Sequence, residues 1–523
     1  MASDTFERLR TPVPGLGRVT SINEQIRQGR WYLALWYLAG FGLTVLVALG
    51  MLLLGPGPQA IGWAVFVIAV SAIIYNPRYG IYILVGFGLA ADGLLNPWFP
   101  TMKNFSSAES LLFLSRAFVF NTTEFLIALI TASWLVRVIM TRKFDLVLGK
   151  LVVPAMVFMA LMGAGFLNGV LTGGDFSIAL WSSRTIFYYP MMVFLTSQLI
   201  RKQAHVMPIF WAAAFGLTFD AIYGFNFVVF TLNWDIHTVL RIAEHSHSIH
   251  LNTMFVLFGV LFYFRASPRL RWYLLLVLPF MLISYYGNQR RASYVALGVA
   301  IILFALLLQW YNRRIFWTVV PPLAAIFLAY LMIFWDSSGG VAWAAAQVRS
   351  VISPVEGSED ESSSIYREIE NVNNLFTMRQ APLTGVGFGN KFFIIAPMAD
   401  ISFFEWWEYI VHNSVIWIWM MGGFFGFFSL LFLWGSTIML GMRNMFTLPY
   451  GIMRALAFVA VSYVMMHAVY AYVDMSWDGQ SMVYLGVMTG LINIFDRIEL
   501  TPRPPQRWPW QTELTPAAVR SEP

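Results

Sequence analysis

The chain contains no cysteine, and few of its residues carry a charge. Without cysteine there is no disulfide framework, no thiolate nucleophile and no cysteine-ligated metal centre. Only 11% of the 523 residues are charged, whereas soluble domains carry about 25%. This shortage of charge excludes a water-facing surface for most of the chain.

Apolar residues dominate what is present: 58% of the chain is hydrophobic and 17% is aromatic. Many apolar runs approach the ~20 residues that cross a bilayer as a helix. The sequence therefore predicts an all-α integral membrane protein with about fourteen transmembrane helices, in the range of twelve to fourteen. The predicted spans are 31–54, 58–75, 79–95, 120–140, 151–171, 178–198, 207–231, 248–264, 272–287, 292–310, 316–334, 410–437, 453–471 and 480–495.

The placement of positive charge predicts the topology. If the N-terminus is cytoplasmic, about two thirds of the 33 lysines and arginines fall on the cytoplasmic side, as the positive-inside rule requires. The first thirty residues are polar, so we expect a tail rather than a cleavable signal peptide. The expected order is a cytoplasmic tail (1–30), helices one to eleven (31–334), a large extracytoplasmic loop (335–409), helices twelve to fourteen (410–495) and a second cytoplasmic tail (496–523).

Three arginines break this charge pattern. Arg290 and Arg291 lie in a short outer turn between two apolar runs. Arg184 lies about two turns inside its predicted span, and an arginine within the membrane costs at least ~2.5 kcal/mol. Residues kept at that cost are candidates for function. The alternative is a structural role, in which these arginines contact lipid headgroups or pair with acidic side chains.

The predicted outer loop holds two notable stretches. Apolar residues recur at helical spacing over 364–379, which predicts an amphipathic helix on the outer membrane face. The stretch "GVGFGN" then places Gly385, Gly387 and Gly389 at alternate positions. A dinucleotide fingerprint needs a preceding strand and a βαβ unit, and neither is predicted. The glycines indicate either a backbone turn that a substrate approaches closely or a plain loop turn.

Four stretches in this order resemble the O-antigen ligase and O-antigen polymerase superfamily of membrane glycosyltransferases. They are "SSRTIFYYPMMVFL" (182–195), "NQRRASYVALGVAIILFALLL" (288–308), "YREIENVNNLFTMRQAPLTGVGFGNKF" (366–392) and "VHNSVIWIWMMGGFFGFF" (411–428). The resemblance implies a membrane-embedded glycosyltransferase fold and a glycan donor on a polyprenyl diphosphate such as undecaprenyl diphosphate. It implies no metal and no cofactor. Ligases of this superfamily pass the glycan to lipid A core, and polymerases pass it to another lipid-linked repeat.

The residue chemistry agrees with a diphosphate leaving group. Arginine stays charged and binds phosphate in bidentate geometry, and a neutral histidine could take a proton from an acceptor hydroxyl. We therefore assign His412, Arg291 and Arg184 as catalytic residues. The expected substrate-binding residues are Arg290, Arg367, Asn413, Gly385, Gly387, Gly389 and His250.

Some of these residues have other interpretations. Asn413 is equally suited to cap the helix that follows it. His250 belongs to "AEHSHSIHLNT" (243–253), read as an outer turn that forms an acceptor-sugar surface, a plain loop or, least of all, a zinc site.

The expected protein is a multi-pass enzyme of the cytoplasmic (inner) membrane that binds a polyprenyl-diphosphate-linked glycan, a saccharide or lipid-linked acceptor and membrane lipids, but no nucleic acid. The alternative is a polytopic transporter or flippase of lipid-linked oligosaccharide. Transporters place polar groups near the midplane of two related halves, whereas here the candidates gather at one interface. A structural assembly subunit is a third possibility. The residues do not separate ligase from polymerase.

Overall fold

The computed structural model describes residues 38, 41–53, 55, 57–142, 144–239, 241–337, 339–402 and 404–498. Over these residues the chain is all-helical, without a β-strand. The predicted tail 1–30, the first part of span 31–54 and nearly all of the tail 496–523 lie outside the described residues.

The helices follow one another with short connections, except after the third, the seventh and the thirteenth. They are α1 (Phe41–Leu53), α2 (Pro58–Tyr75), α3 (Arg78–Ala90), α4 (Thr122–Thr141), α5 (Val152–Leu171), α6 (Phe176–Leu199), α7 (Gln203–Asn226), α8 (His247–Tyr263), α9 (Pro268–Asn288), α10 (Arg291–Tyr311), α11 (Arg313–Phe334), α12 (Trp343–Ile352), α13 (Glu359–Gln380), α14 (Ser414–Thr447), α15 (Ile452–Val473) and α16 (Gly479–Ile494). A π-helical turn, Phe227–Thr231, extends α7.

Each predicted span overlaps one helix, namely α1 to α11 and α14 to α16. Nine helices in the described part of the chain are long and apolar enough to cross a membrane. The all-helical, multi-pass membrane class is thereby confirmed. The other five predicted spans are shorter or less apolar, so the count of fourteen stays a prediction.

The chain divides into two compact units, Met1–Ile68 and Ala69–Pro523. In the first, the described residues form α1 and the first part of α2. In the second, α15 is the most buried of the nine long apolar helices, and it packs against α8, α10, α14 and α16. None of the residues of α11 is buried, as expected for a helix that faces lipid.

The segment between α11 and α14 contains α12 and α13, and α13 covers the stretch 364–379 that the sequence predicts to be helical. Its polar residues Glu370, Asn373 and Thr377 are buried, whereas the apolar Ile365 and Val372 are about half exposed. The polar face of α13 therefore lies against the protein, and its apolar face is left open.

Candidate active site

Five of the ten predicted site residues lie on segments that meet at one end of the second unit, namely Arg290, Arg291, Arg367, His412 and Asn413. Here the C-terminal ends of α9 and α15 meet the N-terminal ends of α10 and α14 and the middle of α13. Arg290 is the N-cap residue of α10, Arg367 lies on α13, and His412 comes just before α14. Alternating helix directions bring these residues to the same end, although more than a hundred residues separate the first from the last.

A buried aspartate, Asp474, organises this end. It is the C-cap residue of α15 and only 1% exposed. Its Oδ2 lies 3.8 Å from Nη1 of Arg290 and 3.9 Å from Nη2 of Arg367. Its Oδ1 lies 2.9 Å from Nδ1 of His245. We call these four residues the Asp474 cluster.

The charges of the Asp474 cluster settle its protonation. Burial favours the neutral acid, but His245 and the charges of Arg290 and Arg367 hold the pKa of Asp474 well below its usual range. Burial, aided by the charges of Arg290 and Arg241, lowers the pKa of His245 to about 4 despite the opposing effect of Asp474. At neutral pH the aspartate is therefore ionised, and neutral His245 donates its Nδ1–H to the carboxylate.

The arginines of the Asp474 cluster keep hydrogen-bond donors to spare. Nε and Nη2 of Arg290 and Nε of Arg367 are buried and have no partner among the described residues. The two side chains are 17% and 23% exposed. A buried donor without a partner costs about 1–3 kcal/mol, and each of these three nitrogen atoms can donate to a further acceptor.

His412 forms a second histidine–carboxylate pair. Its Nδ1 lies 3.1 Å and 3.2 Å from the two carboxylate oxygens of Glu370, which is 1% exposed. The backbone N–H of His412 also donates to Glu370, at 2.9 Å. With Nδ1–H donating to Glu370, the lone pair of His412 lies on Nε2, which contacts no other described residue within hydrogen-bond distance. Arg367 and Glu370 are three positions apart on α13 and so lie about one turn from each other.

Arg291 contacts the α12–α13 segment instead of the Asp474 cluster. Its Nε lies 3.3 Å from Oδ1 of Asp360, and its Nη1 donates to the carbonyl of Ser350 at 2.9 Å. These contacts tie the first turn of α10 to the segment that carries Arg367 and Glu370. The geometry gives Arg291 a positioning role beside the catalytic role that the sequence predicts for it.

Arg184 faces a separate cavity. Nη1 lies 3.4 Å from Oε1 of Glu124, both guanidinium Nη atoms lie 3.5 Å from Oδ1 of Asn104, and the guanidinium carbon lies 3.4 Å from the ring centre of Trp181. Unlike Arg290, Arg184 is thus largely satisfied within the protein.

Two predicted substrate-binding residues have structural partners. Oδ1 of Asn413 accepts hydrogen bonds from the backbone N–H groups of Val415 and Ile416, at 3.2 Å and 3.0 Å, so Asn413 caps α14. His250 is not in an outer turn, because α8 begins at His247. Its Nε2 lies 3.2 Å from Oγ of Ser481, and the side chain is 4% exposed among helices.

The three predicted loop glycines approach backbone atoms of the protein. They have φ values of +71°, +84° and +84°, and a Cβ on each would overlap backbone atoms of α14, α5 and the α5–α6 turn respectively. Val386 donates to the carbonyl of Met420 at 2.7 Å, and Phe424 donates to that of Pro382 at 2.9 Å. The loop thereby supplies hydrogen bonds where α14 is interrupted at Gly423, whose φ and ψ are 66° and −171°. The three glycines therefore lie close to helices of the protein itself, an arrangement that the sequence did not predict.

Gly387→Ala is expected to destabilise the protein by more than the about 1–2 kcal/mol that a left-handed conformation costs a residue other than glycine. A Cβ there would also overlap the backbone of Gly169. Gly173→Ala is the matched control, because Gly173 has a φ of +89° and open space around it. Thermal unfolding in detergent should give a larger fall in Tm for Gly387→Ala. Equal falls would show that the loop is not wedged between the helices.

One group of residues has the composition of a metal site. Ligand atoms of Asp92, Asp220 and His247 lie within 4.8 Å of one another. However, Nδ1 of His247 bonds Asp220, its Nε2 lies 2.9 Å from Oγ of Ser284, and Asp92 accepts three backbone N–H groups. Protein hydrogen bonds already occupy most of these ligand atoms, so the group is explained without a metal.

The sequence missed the two acids that organise this end of the molecule. Asp474 was visible with Asp478 in "YAYVDMSWDGQ" between two apolar runs, and Glu370 as an acid on the predicted amphipathic helix. Neither has a partner nearby in sequence: 229 residues separate His245 from Asp474, and 42 separate Glu370 from His412.

Comparison with known proteins supports the predicted resemblance. No curated protein matches the chain. Residues 276–431 match the family described as O-antigen ligase. This stretch runs from α9 into α14 and contains Arg290, Arg367 and His412, whereas Asp474 lies beyond it. The match covers less than a third of the chain, and over that stretch the chain is similar to the O-antigen ligase family.

Proposed function

We propose that this protein transfers a glycan from a polyprenyl-diphosphate carrier to a saccharide or lipid-linked acceptor at the outer face of the cytoplasmic membrane. The observation that carries the proposal is the set of unpartnered guanidinium donors on Arg290 and Arg367. A diphosphate offers several anionic acceptor oxygens, and arginine matches them in geometry and charge.

The reaction requires one bond to form as another breaks. The acceptor hydroxyl oxygen attacks the anomeric carbon of the donor sugar, and the bond from that carbon to the diphosphate oxygen breaks. The diphosphate leaves with the electron pair, and Arg290 and Arg367 stabilise the charge that develops. Nε2 of His412 takes the hydroxyl proton, while Glu370 holds the ring in the tautomer that leaves Nε2 free. In this scheme the arginines supply the positive charge, and no metal is needed.

An apolar groove supports a lipid-linked donor. It has a volume of about 550 Å³ and lies between α8, α9 and α10. On α10 it runs from Tyr294 to Phe304, about 15 Å at 1.5 Å per residue, and Arg290 and Arg291 directly precede it. We name it the tyrosine groove, after Tyr285, Tyr286 and Tyr294 in its wall. A polyprenyl chain in the tyrosine groove would place its diphosphate toward the Asp474 cluster.

The predicted topology gives the side of the membrane on which the Asp474 cluster lies. With fourteen spans and cytoplasmic termini, the Asp474 cluster lies on the outer side, where a lipid-linked glycan and its acceptor meet. The exposed apolar face of α13 fits a helix that rests on that membrane surface.

The proposal is tested by a transfer reaction with purified protein in nanodiscs. The donor is a saccharide on undecaprenyl diphosphate, and the acceptors, offered separately, are lipid A core and a second lipid-linked repeat. We expect product with one acceptor, with or without a chelator. That acceptor tells ligase from polymerase.

A pair of variants tests the donor site within the same reaction. Gly259→Phe narrows the tyrosine groove, since Gly259 lines it with open space around its Cα, and is expected to lower product formation about tenfold. Gly298→Phe on α10, also in open space but outside the groove, is the control. The proposal is contradicted if neither acceptor gives product, or if both Gly259→Phe and Gly298→Phe form as much product as the wild type.

A further inference from the structure

A second cavity adjoins the Asp474 cluster. Its volume is about 410 Å³, within the range of about 300–1,000 Å³ usual for ligand pockets. His245 and Ser414 line it, and both also contact Asp474, through the histidine ring and through the serine hydroxyl, which donates to the carbonyl of Asp474 at 3.0 Å. The cavity and the cluster thus share a wall.

Four tryptophans are among the lining residues, namely Trp181, Trp406, Trp417 and Trp477, and we call the space the tryptophan cavity. The rings of Trp181 and Trp406 lie 6.4 Å apart, inclined at 40°. The Arg184 guanidinium covers one face of Trp181. The other tryptophan faces suit the C–H faces of a pyranose, and the polar groups between them suit its hydroxyls.

The lining of the tryptophan cavity holds more acids than bases, with Glu244 and Asp478 against Arg184. Arg184 is paired with Glu124, and Tyr188 donates to the same carboxylate at 3.1 Å. Asp478 and Gln480 also line the cavity, at the start of α16. A cavity whose arginine is already paired does not favour a diphosphate, so it differs in chemistry from the Asp474 cluster.

We propose that the tryptophan cavity binds the acceptor saccharide and presents its hydroxyl across the shared wall to the donor. The inference rests on the proposed function and specifies where the second substrate lies. Ile410 and Ser414 line the cavity and flank His412 by two residues on either side. The segment that carries His412 thus forms part of the cavity wall, although His412 itself is not one of the lining residues.

The test compares Trp406→Ala with Trp407→Ala, because the neighbouring tryptophan does not line the cavity. A third variant, Gly479→Leu, fills the cavity: Gly479 lines it, and a Cβ there meets Tyr188 at an ordinary 3.5 Å. The acceptor is whichever of lipid A core or lipid-linked repeat supports transfer by the wild type. The readouts are KM for the acceptor and the affinity for undecaprenyl diphosphate.

Trp406→Ala and Gly479→Leu should raise KM for the acceptor by about tenfold, while the affinity for undecaprenyl diphosphate is unchanged and shows that the protein is folded. Trp407→Ala should alter neither. If the wild type transfers the glycan and both cavity variants keep the wild-type KM, this inference is overturned and the proposed function stands. If the wild type neither binds undecaprenyl diphosphate nor transfers, the proposed function itself is overturned.

Discussion

Replacing both Arg290 and Arg367 with glutamine is expected to lower kcat for glycan transfer by at least about 10³-fold. Removing one preorganised donor to a developing negative charge costs about 10²- to 10³-fold in other enzymes, and here two are lost. Their guanidinium groups lie within 3.9 Å of Asp474, which fixes their directions before the substrate arrives. The measurement is the rate of product formation at saturating donor and acceptor.

Lysine variants separate this effect from a loss of folding. Arg290→Lys and Arg367→Lys keep the charge beside Asp474 but lose the bidentate geometry, so each should retain the wild-type Tm and an intermediate rate. Arg349→Gln is the control, since Arg349 lies on nearby α12 and pairs with the 92% exposed Asp336, an ion pair of little energetic value. A double glutamine variant with nearly wild-type kcat would remove these arginines from the mechanism.

His412→Ala is expected to lower kcat by about 10²- to 10⁴-fold, the usual contribution of a positioned general base. The acceptor KM and the affinity for undecaprenyl diphosphate should change little, because Nε2 acts on the proton only as the bond forms. Glu370→Gln should lower kcat by less, because the imidazole of His412 is still present. The variant removes only the carboxylate charge that orients the imidazole, whose Nδ1 lies 3.1 Å from Oε1 of Glu370. Steady-state kinetics of the two variants provide the test.

His205→Ala is the control for this pair. His205 lies in the first turn of α7 at the opposite end of the bundle, where it contacts Arg78, and its loss should leave kcat unchanged. A fall in acceptor or donor affinity on His412→Ala, without a fall in kcat, would make His412 a binding residue and not the base.

The fold was largely predictable, because each helix leaves its own local signal. Apolar runs predicted α1 to α11 and α14 to α16, and the spacing of Ile365, Ile369 and Val372 predicted α13. Alternation of helix direction then brought Arg290, Arg367 and His412 to one end. The spans that correspond to α3, α8 and α16 could not be predicted firmly from helix length and apolar composition. These helices pack against other helices, so their surfaces need not be as apolar as those that face lipid.

The contacts within the site were much less predictable. Asp474 and Glu370 act on partners from other helices, and no pattern in one sequence reveals such pairing. The glycines were expected near a substrate, but their positive φ values serve a loop wedged between α5, α6 and α14. Asn413 had two interpretations in the sequence, and its contacts with Val415 and Ile416 match the helix cap.

Arg290 and Arg367 are proposed to hold the diphosphate of the donor. The affinity of the purified protein for undecaprenyl diphosphate, relative to undecaprenyl monophosphate, tests this proposal. We expect the wild type to prefer the diphosphate by about 10- to 100-fold, as hydrogen bonds to charged groups contribute about 1.5–3 kcal/mol, and the double glutamine variant to lose this preference. An equal preference in both proteins would contradict the account.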